Sequence, residues 1–153
     1  MATEIERKFL VRGDDWKAAP AERYTQGYLN RDQRRTVRVR IVRDEAWLTV
    51  KGENDGATRA EFEYAIPLAD AQQLLALCDG PLVSKLRRVV RHAGSTWEID
   101  EFLGDNAGLV VAEIELESEQ QAFARPDWLG EEVTHDARYF NSSLAQRPFS
   151  TWK

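Results

Sequence analysis

The chain has 153 residues, 42% hydrophobic and 31% charged, with five Trp, four Tyr and six Phe. That is too much apolar material for a disordered chain and enough for one core of ordinary size, so a single domain over 1–153 is expected. A net charge of −5 argues against a generic duplex-DNA binder, which needs a basic excess against phosphates. No apolar run approaches the roughly 18 residues of a membrane helix, and MATEIERKFLV does not read as a signal peptide. The single Cys78 can form no internal disulfide. The expectation is a soluble cytoplasmic protein with no nucleic-acid and no membrane partner.

Alternation of period two dominates, as in strands with two unlike faces. Residues 3–11 set Glu4, Glu6 and Lys8 against Ile5, Arg7, Phe9 and Val11. A shorter strand is expected over 22–29, ending in the turn-prone stretch Asn30 to Arg34. Residues 36–42 set Arg38 and Arg40 against Val37, Val39 and Ile41. Over 46–51, Thr49 and Lys51 oppose Leu48 and Val50, and over 59–66 Arg59, Glu61 and Glu63 oppose Ala60, Phe62, Tyr64 and Ile66. Residues 69–79 change period: Ala71, Leu74, Leu75 and Cys78 form a helical apolar stripe that Gly80-Pro81 should stop.

The second half returns to strands. Lys85 and Arg87 share a face opposite Leu86 and Val90, Glu98 and Asp100 oppose Trp97 and Ile99, and Glu113, Glu115 and Glu117 oppose Ile114 and Leu116. Turns are expected at Arg43-Asp44-Glu45, Gly52 to Gly56, His92 to Ser95 and Gly104 to Gly108. Eight antiparallel strands result. A short helix is expected after Ser118, Pro126 to Thr134 reads as a connector, and another helix is expected over 137–146 before Pro148.

A charged face on one strand means only that antiparallel sheets commonly wet one side. Here six or seven strands carry such a face, with both signs in quantity and few Ser, Thr, Gln or Asn among them. An open sheet with a solvated charged face would explain this, and so would a closed barrel with charges inward and apolar residues outward. The barrel must balance its charges, because an unpaired buried charge costs several kcal/mol. Such an interior would suit a polyphosphate bound with Mg²⁺ or Mn²⁺, both of which take carboxylate and phosphate oxygens. A membrane barrel alternates similarly but fits poorly with the missing signal peptide, the amphipathic helix and the acidic final third.

Glu4-Ile5-Glu6-Arg7-Lys8 resembles the ExExK signature that opens CYTH proteins, the triphosphate tunnel metalloenzymes. The later segments are similar in order too: Gln26-Gly27-Tyr28-Leu29, Arg38-Val39-Arg40, Leu48-Thr49-Val50-Lys51, Arg59-Ala60-Glu61-Phe62-Glu63, Lys85-Leu86-Arg87, Glu98-Ile99-Asp100, Glu113-Ile114-Glu115, then Leu129 to Thr134 with Tyr139 and Asn141. The resemblance spans nearly the whole chain and selects the barrel: a mainly β, α+β fold, an eight-stranded antiparallel tunnel with a charged interior and a few covering helices. It also implies activity on a small-molecule triphosphate or polyphosphate with Mg²⁺ or Mn²⁺, hydrolysis of inorganic tripolyphosphate being commonest among short bacterial members.

By position in those motifs, Glu4, Glu6, Glu113 and Glu115 are expected to hold metal, with Asp100 beside them; four clustered carboxylates would repel one another without a cation. Glu61, Glu63 and Asp100 are candidates for a second metal, for orienting water, or for charge balance. Arg38, Arg40, Lys51, Arg59, Lys85 and Arg87 are expected on phosphate oxygens, Arg bidentately and Lys as a point charge. Lys8 and Lys85 are further catalytic candidates, Lys8 for a phosphate or a metal-bound water. Tyr28 could shape a tunnel mouth, Arg138 and Arg147 could lie on the surface or close one end, and Glu117 should be solvated.

His92 and His135 lack partners at zinc spacing, and no nucleophile elbow or P-loop is present. Thiamine or nucleoside triphosphatase activity, class IV-type adenylyl cyclase activity, and a non-catalytic polyphosphate-binding module remain alternatives, the last being disfavoured by the retained carboxylates. A homodimer is left open.

Overall fold

The computed structural model describes residues 3–152. Nine strands form one sheet: β1 (Thr3–Val11), β2 (Ala21–Asn30), β3 (Arg35–Val42), β4 (Glu45–Gly52), β5 (Thr58–Ile66), β6 (Asp79–His92), β7 (Ser95–Phe102), β8 (Val110–Glu115) and β9 (Leu129–Glu132). The sheet order is β5-β4-β3-β2-β6-β7-β8-β1, and pairing of β1 with β5 closes these eight antiparallel strands into a barrel. The closing seam is short, pairing only Thr3, Glu4 and Ile5 with Ala60, Arg59 and Thr58. β9 pairs with Phe9 and Val11 farther along β1.

Alternation puts the charged rows inside and the apolar rows outside, where three coverings bury them. Helix α1 (Leu68–Ala76) lays Ala71, Leu74 and Leu75 over Val39, Ala46, Leu29 and Leu48 of β2–β4. It does not reach all of β5, whose Phe62 and Tyr64 stay exposed. Over β1, β7 and β8 sits an aromatic cluster in which Trp97 meets Phe9, Phe123 and Trp128 edge-on at centroid distances of 5.7, 5.5 and 5.5 Å, the favoured geometry for aromatic quadrupoles. Arg7 stacks on Phe9 and Phe123 and forms a two-pronged pair with Glu132 of β9 at 2.8 and 2.6 Å. Tyr28, Val83, Phe102, Leu109 and Val111 pack with Leu144 and Ala145, docking the C-terminal segment on the barrel.

Several sequence expectations need correction. The connector over Pro126 to Thr134 contains β9, whose four residues are too few for a visible period but find a free stretch of β1 edge. No helix follows Ser118; Glu119 instead accepts hydrogen bonds from the Ala57 backbone N–H and the Thr58 hydroxyl, tying that turn to the β4–β5 loop. The helix expected over 137–146 is split into a 3₁₀ turn (Ala137–Tyr139) and one α turn, α2 (Asn141–Leu144). Helix α1 ends before Cys78, and Gly80-Pro81 lies within the start of β6 rather than before it. Gly27 makes this possible: a Cβ there would come within 2.7 Å of Leu82 and 2.9 Å of the Cys78 sulfur. Among the described residues no helix is long and apolar enough to cross a membrane.

Trp97 is fully buried and central to the aromatic cluster. Trp97→Ala should lower unfolding free energy by about 3–5 kcal/mol, measured by urea titration followed by circular dichroism.

Candidate functional site

The inward rows converge on a cavity of about 200 Å³ bounded by twenty residues, fourteen of them charged. Its charges are segregated by strand. All seven lining acids come from the consecutive strands β7, β8, β1 and β5: Glu98, Glu113, Glu115, Glu4, Glu6, Glu61 and Glu63. Five of the seven lining bases come from the opposite half, β4, β3, β2 and β6: Lys51, Arg38, Arg40, Lys85 and Arg87. Lys8 and Arg59 stand within the acidic half. The cross-section is therefore bipolar, one wall acidic and one basic.

Ion pairs knit the walls together. Glu4 receives Lys51 at 3.1 Å and Arg59 at 3.4 Å. Burial opposes ionisation of Glu4, but Lys51 and Arg59 outweigh it and hold its pKa below the ordinary value. Lys8 pairs with Glu113 and lies 3.4 Å from Glu6. Burial pulls the Lys8 ammonium down, yet Glu113 and Glu6 hold it above its usual value. Glu113 is likewise held well below the carboxylate range, because Lys8, Arg87 and Lys85 overcome its burial.

Glu6 behaves differently. Burial, reinforced by Glu113 and only partly countered by Lys8, pushes its pKa up to about 7. It stands directly across the ladder from Glu115, whose pKa is also raised by burial and by Glu4, Glu98 and Glu113.

The basic wall is anchored from behind by Asp100, which is 1% exposed and outside the cavity lining. Its oxygens accept from Arg87 at 2.7 and 2.8 Å, and one is 2.7 Å from Lys85. Burial opposes the charge of Asp100, but Arg87 and Lys85 bring its pKa to about 2. Burial, with Arg87 and Arg40 nearby, lowers Lys85 to about 7 despite Asp100. Burial beside Arg38 and Arg87 lowers Arg40 to about 9. Arg38 gives Nη2 to Thr49 at 3.2 Å, while its buried Nε has no acceptor among the described residues.

All the catalytic, phosphate-binding and metal-binding candidates from the sequence line this cavity or, for Asp100, back it. Tyr28 both borders it and packs in the adjoining core. Arg138, Arg147 and Glu117 are exposed and outside the lining. Sequence reasoning assigned no site role to Gln26, Thr36, Phe140, Asn141 or Ser142, which also border the cavity or touch its cations. Gln26 and Asn141 belonged to the family-like pattern, but nothing in their spacing tied them to a charge.

A model of the CYTH domain family matches residues 2–149. The chain belongs to the CYTH family. Over 155 aligned residues it is 49% identical to a protein named inorganic triphosphatase from Acetivibrio thermocellus, covering 100% of this chain and 99% of that one. A second inorganic triphosphatase, from Nitrosomonas europaea, is 38% identical over 147 residues, covering 94% and 97% of the two chains. The crystal structure of the inorganic triphosphatase NE1496 superposes with a TM-score of 0.64 at 36% identity, covering 92% and 96%. The barrel of this CYTH chain thus has the closed form that alternation alone left open.

Divalent metal dependence is what this family implies. Among the described residues no three His, Cys, Asp or Glu side chains stand ready as a ligand cluster, because Glu4 and Glu113 are turned toward Lys and Arg. The donor chemistry nevertheless fits: Glu6 and Glu115 face each other beside Glu4 and Glu113, all offer hard carboxylate oxygens, and burial with mutual repulsion raises two of them.

That repulsion should be visible in stability. With its folded pKa above the unfolded value of about 4.5, Glu6 is ionised at a cost in the folded state. The cost is absent below about pH 4.5, grows between 4.5 and 7, and is full above 7. Glu6→Gln in EDTA should therefore unfold at a higher temperature than the parent at pH 8, with the difference vanishing near pH 4; calorimetry across that range checks the sign.

Proposed function

We propose that the chain is a divalent-metal-dependent hydrolase of inorganic tripolyphosphate. The bipolar cavity carries this reading. A polyanion alone would need only the basic wall; an acidic wall facing it calls for a cation between acid and phosphate. Among the described residues the lining offers two aromatic rings, Tyr28 and Phe140, little for a purine or thiazole to occupy. The two relatives named inorganic triphosphatase support the same choice.

In this reading Arg38, Arg40, Lys51, Arg59, Lys85 and Arg87 grip phosphate oxygens, and the unpartnered Arg38 Nε is a donor awaiting one. Phosphate oxygens compete with Glu4 for Lys51 and Arg59, and with Glu113 for Arg87, so arrival of the substrate releases carboxylates. Glu4, Glu6, Glu113 and Glu115 would hold the divalent cation, Mg²⁺ or Mn²⁺. When bound, it neutralises phosphate charge and acidifies a water molecule.

Asp100, with both oxygens taken by Lys85 and Arg87, acts as their counter-ion and not as a metal ligand. Lys8, held charged by Glu113 and Glu6, adds a cation on the acidic side. Lys85, lowered to about 7 by burial and by Arg87 and Arg40 despite Asp100, is our candidate for giving a proton to the departing phosphate oxygen at neutral pH. Glu61 and Glu63, at the more open part of the acidic wall, can orient the incoming water. The rest of the barrier falls through alignment and electrostatics, as phosphoryl transfer requires.

The direct test is phosphate release from tripolyphosphate, ATP and thiamine triphosphate in parallel, with Mg²⁺, Mn²⁺ or EDTA. Release chiefly from tripolyphosphate, absent in EDTA, is expected; a preference for either organic substrate would reassign the substrate, and no release from any would remove the hydrolase. In the same assay Glu6→Ala and Glu115→Ala should each lower turnover by at least about a hundredfold, roughly 2.7 kcal/mol of barrier, with near-parental rates refuting the metal assignment.

A further inference from the structure

Arg40 differs from the other lining cations. Among the described residues Lys8, Arg38, Lys51, Arg59, Lys85 and Arg87 each have a carboxylate within 4.0 Å, and Arg40 has none. It is held by neutral groups. Its Nε donates to Gln26 Oε1 at 2.9 Å, and its guanidinium lies 4.9 Å from the centre of the Tyr24 ring. Arg87 stands 4.8 Å from the centre of the same ring.

The contact continues inward. Gln26 Nε2 donates to Asn141 Oδ1 at 2.9 Å, and Lys85 Nζ donates to that same oxygen at 2.9 Å. Two amides thus bridge Arg40 on β3 and Lys85 on β6, with Gln26 coming from the intervening β2 and Asn141 from the first residue of α2.

The direction of every hydrogen bond in this bridge is fixed by chemistry. Charged lysine and arginine can only donate. Lys85 therefore requires the oxygen of Asn141, and Arg40 requires the oxygen of Gln26. The remaining Gln26 NH₂ then meets the second lone pair of Asn141 Oδ1. Gln26 is 0% exposed and Lys85 1% exposed, so an unmet polar group on either would be costly.

The bridge has a property that a carboxylate lacks. Asp100 holds Lys85 and Arg87 in place but cancels charge as it does so. An amide oxygen can satisfy such a donor and leave its positive charge whole: Arg40 is held in this way without a carboxylate, and Lys85 takes Asn141 in addition to Asp100. The Arg40 Nη groups take no protein acceptor among the described residues, and Arg40 borders the cavity.

We propose that Gln26 and Asn141 are positioning residues that hold Arg40 and Lys85 in the tunnel without adding a carboxylate beyond Asp100, keeping the remaining positive charge of the basic wall, that of Arg40 above all, for the substrate's phosphates. This deepens the tripolyphosphate reading and rests on it. It also gives the C-terminal segment a part in the site: Asn141 reaches the cavity only because Leu144 and Ala145 are seated in the core beside Val83 and Phe102.

Asn141→Asp separates positioning without charge from simple packing. Aspartate is nearly isosteric and can accept from both Lys85 and Gln26, so every hydrogen bond of the bridge survives while one negative charge enters. A purely structural role would leave substrate affinity untouched. The charge role predicts a thermal midpoint at or above the parent's, together with at least about tenfold weaker binding of tripolyphosphate, read by calorimetry in EDTA and as KM with metal.

Gln26→Glu places the charge at Arg40 and should weaken binding similarly; with the Asn141 NH₂ turned toward the new carboxylate, Lys85 gives up the Asn141 oxygen and keeps Asp100. Gln72→Glu, exposed on α1, changes net charge equally and should leave affinity unchanged. Parental affinity in folded Asn141→Asp and Gln26→Glu would overturn the inference while leaving the triphosphatase reading intact. Failure of both variants to fold would assign the amides to packing and overturn it as well. If the parent protein neither binds nor cleaves tripolyphosphate, the functional reading itself falls, and the inference with it.

Discussion

Charges enclosed in a small cavity must be balanced by other charges close at hand, and the arrangement of the barrel interior obeys that requirement. Seven acids and seven bases share about 200 Å³, where desolvation makes each costly in isolation. The barrel sorts most of them by wall. It pairs Lys51 with Glu4 across the walls, Arg59 with Glu4 and Lys8 with Glu113 within the acidic half, and Arg87 and Lys85 with Asp100 behind the basic wall. Balance is incomplete at Glu6, where neighbouring carboxylates reinforce the effect of burial. It is also incomplete at Arg40, which has no carboxylate within 4.0 Å among the described residues and whose pKa is lowered by burial, Arg38 and Arg87 in spite of the more distant Asp100. Those two unbalanced places mark where a cation and an anion would each be most welcome.

The outer layers keep this interior in shape. β1 carries Glu4, Glu6 and Lys8 inward and Ile5, Arg7, Phe9 and Val11 outward, so its inner and outer partners are set together. Phe9 is locked into the Trp97–Phe123 cluster and Arg7 into Glu132, which fixes the strand that closes the barrel through only three pairs with β5. Across the barrel, α1 covers β2–β4 and thereby supports the strands bearing Arg38, Arg40 and Lys51. The aromatic cluster thus backs β1, β7 and β8 of the acidic wall, α1 backs β3 and β4 of the basic wall, and the C-terminal segment packs against strands of both.

Much of this was legible in the residues before any coordinates. The alternation in 3–11, 36–42, 46–51 and 59–66 returned the right strands with the right faces, because a side chain in a strand has only two directions to point. The helix at 69–79 was found for the same kind of reason, being set by a 3.6-residue stripe, although its last turn was lost to the start of β6. β9, the turn after Ser118 and the broken helix at 137–146 were missed. Each is too short to carry a period and exists through its partners: β9 through a free edge of β1, the turn through Glu119 on Ala57 and Thr58, α2 through the pocket for Leu144.

The candidate site divides along the same line. Residue order alone settled which acids and bases of a strand share one face, since that depends only on parity along each strand. It did not settle that β7, β8, β1 and β5 form one acidic wall, because that depends on which strands become neighbours when the sheet closes. Nor did it reveal that Asp100 lies behind the basic wall, or that Gln26 and Asn141, 115 residues apart, join Arg40 to Lys85. Strand parity is a local property of the chain; wall membership and bridging amides are properties of distant segments brought within hydrogen-bonding reach, and only the closed barrel decides them.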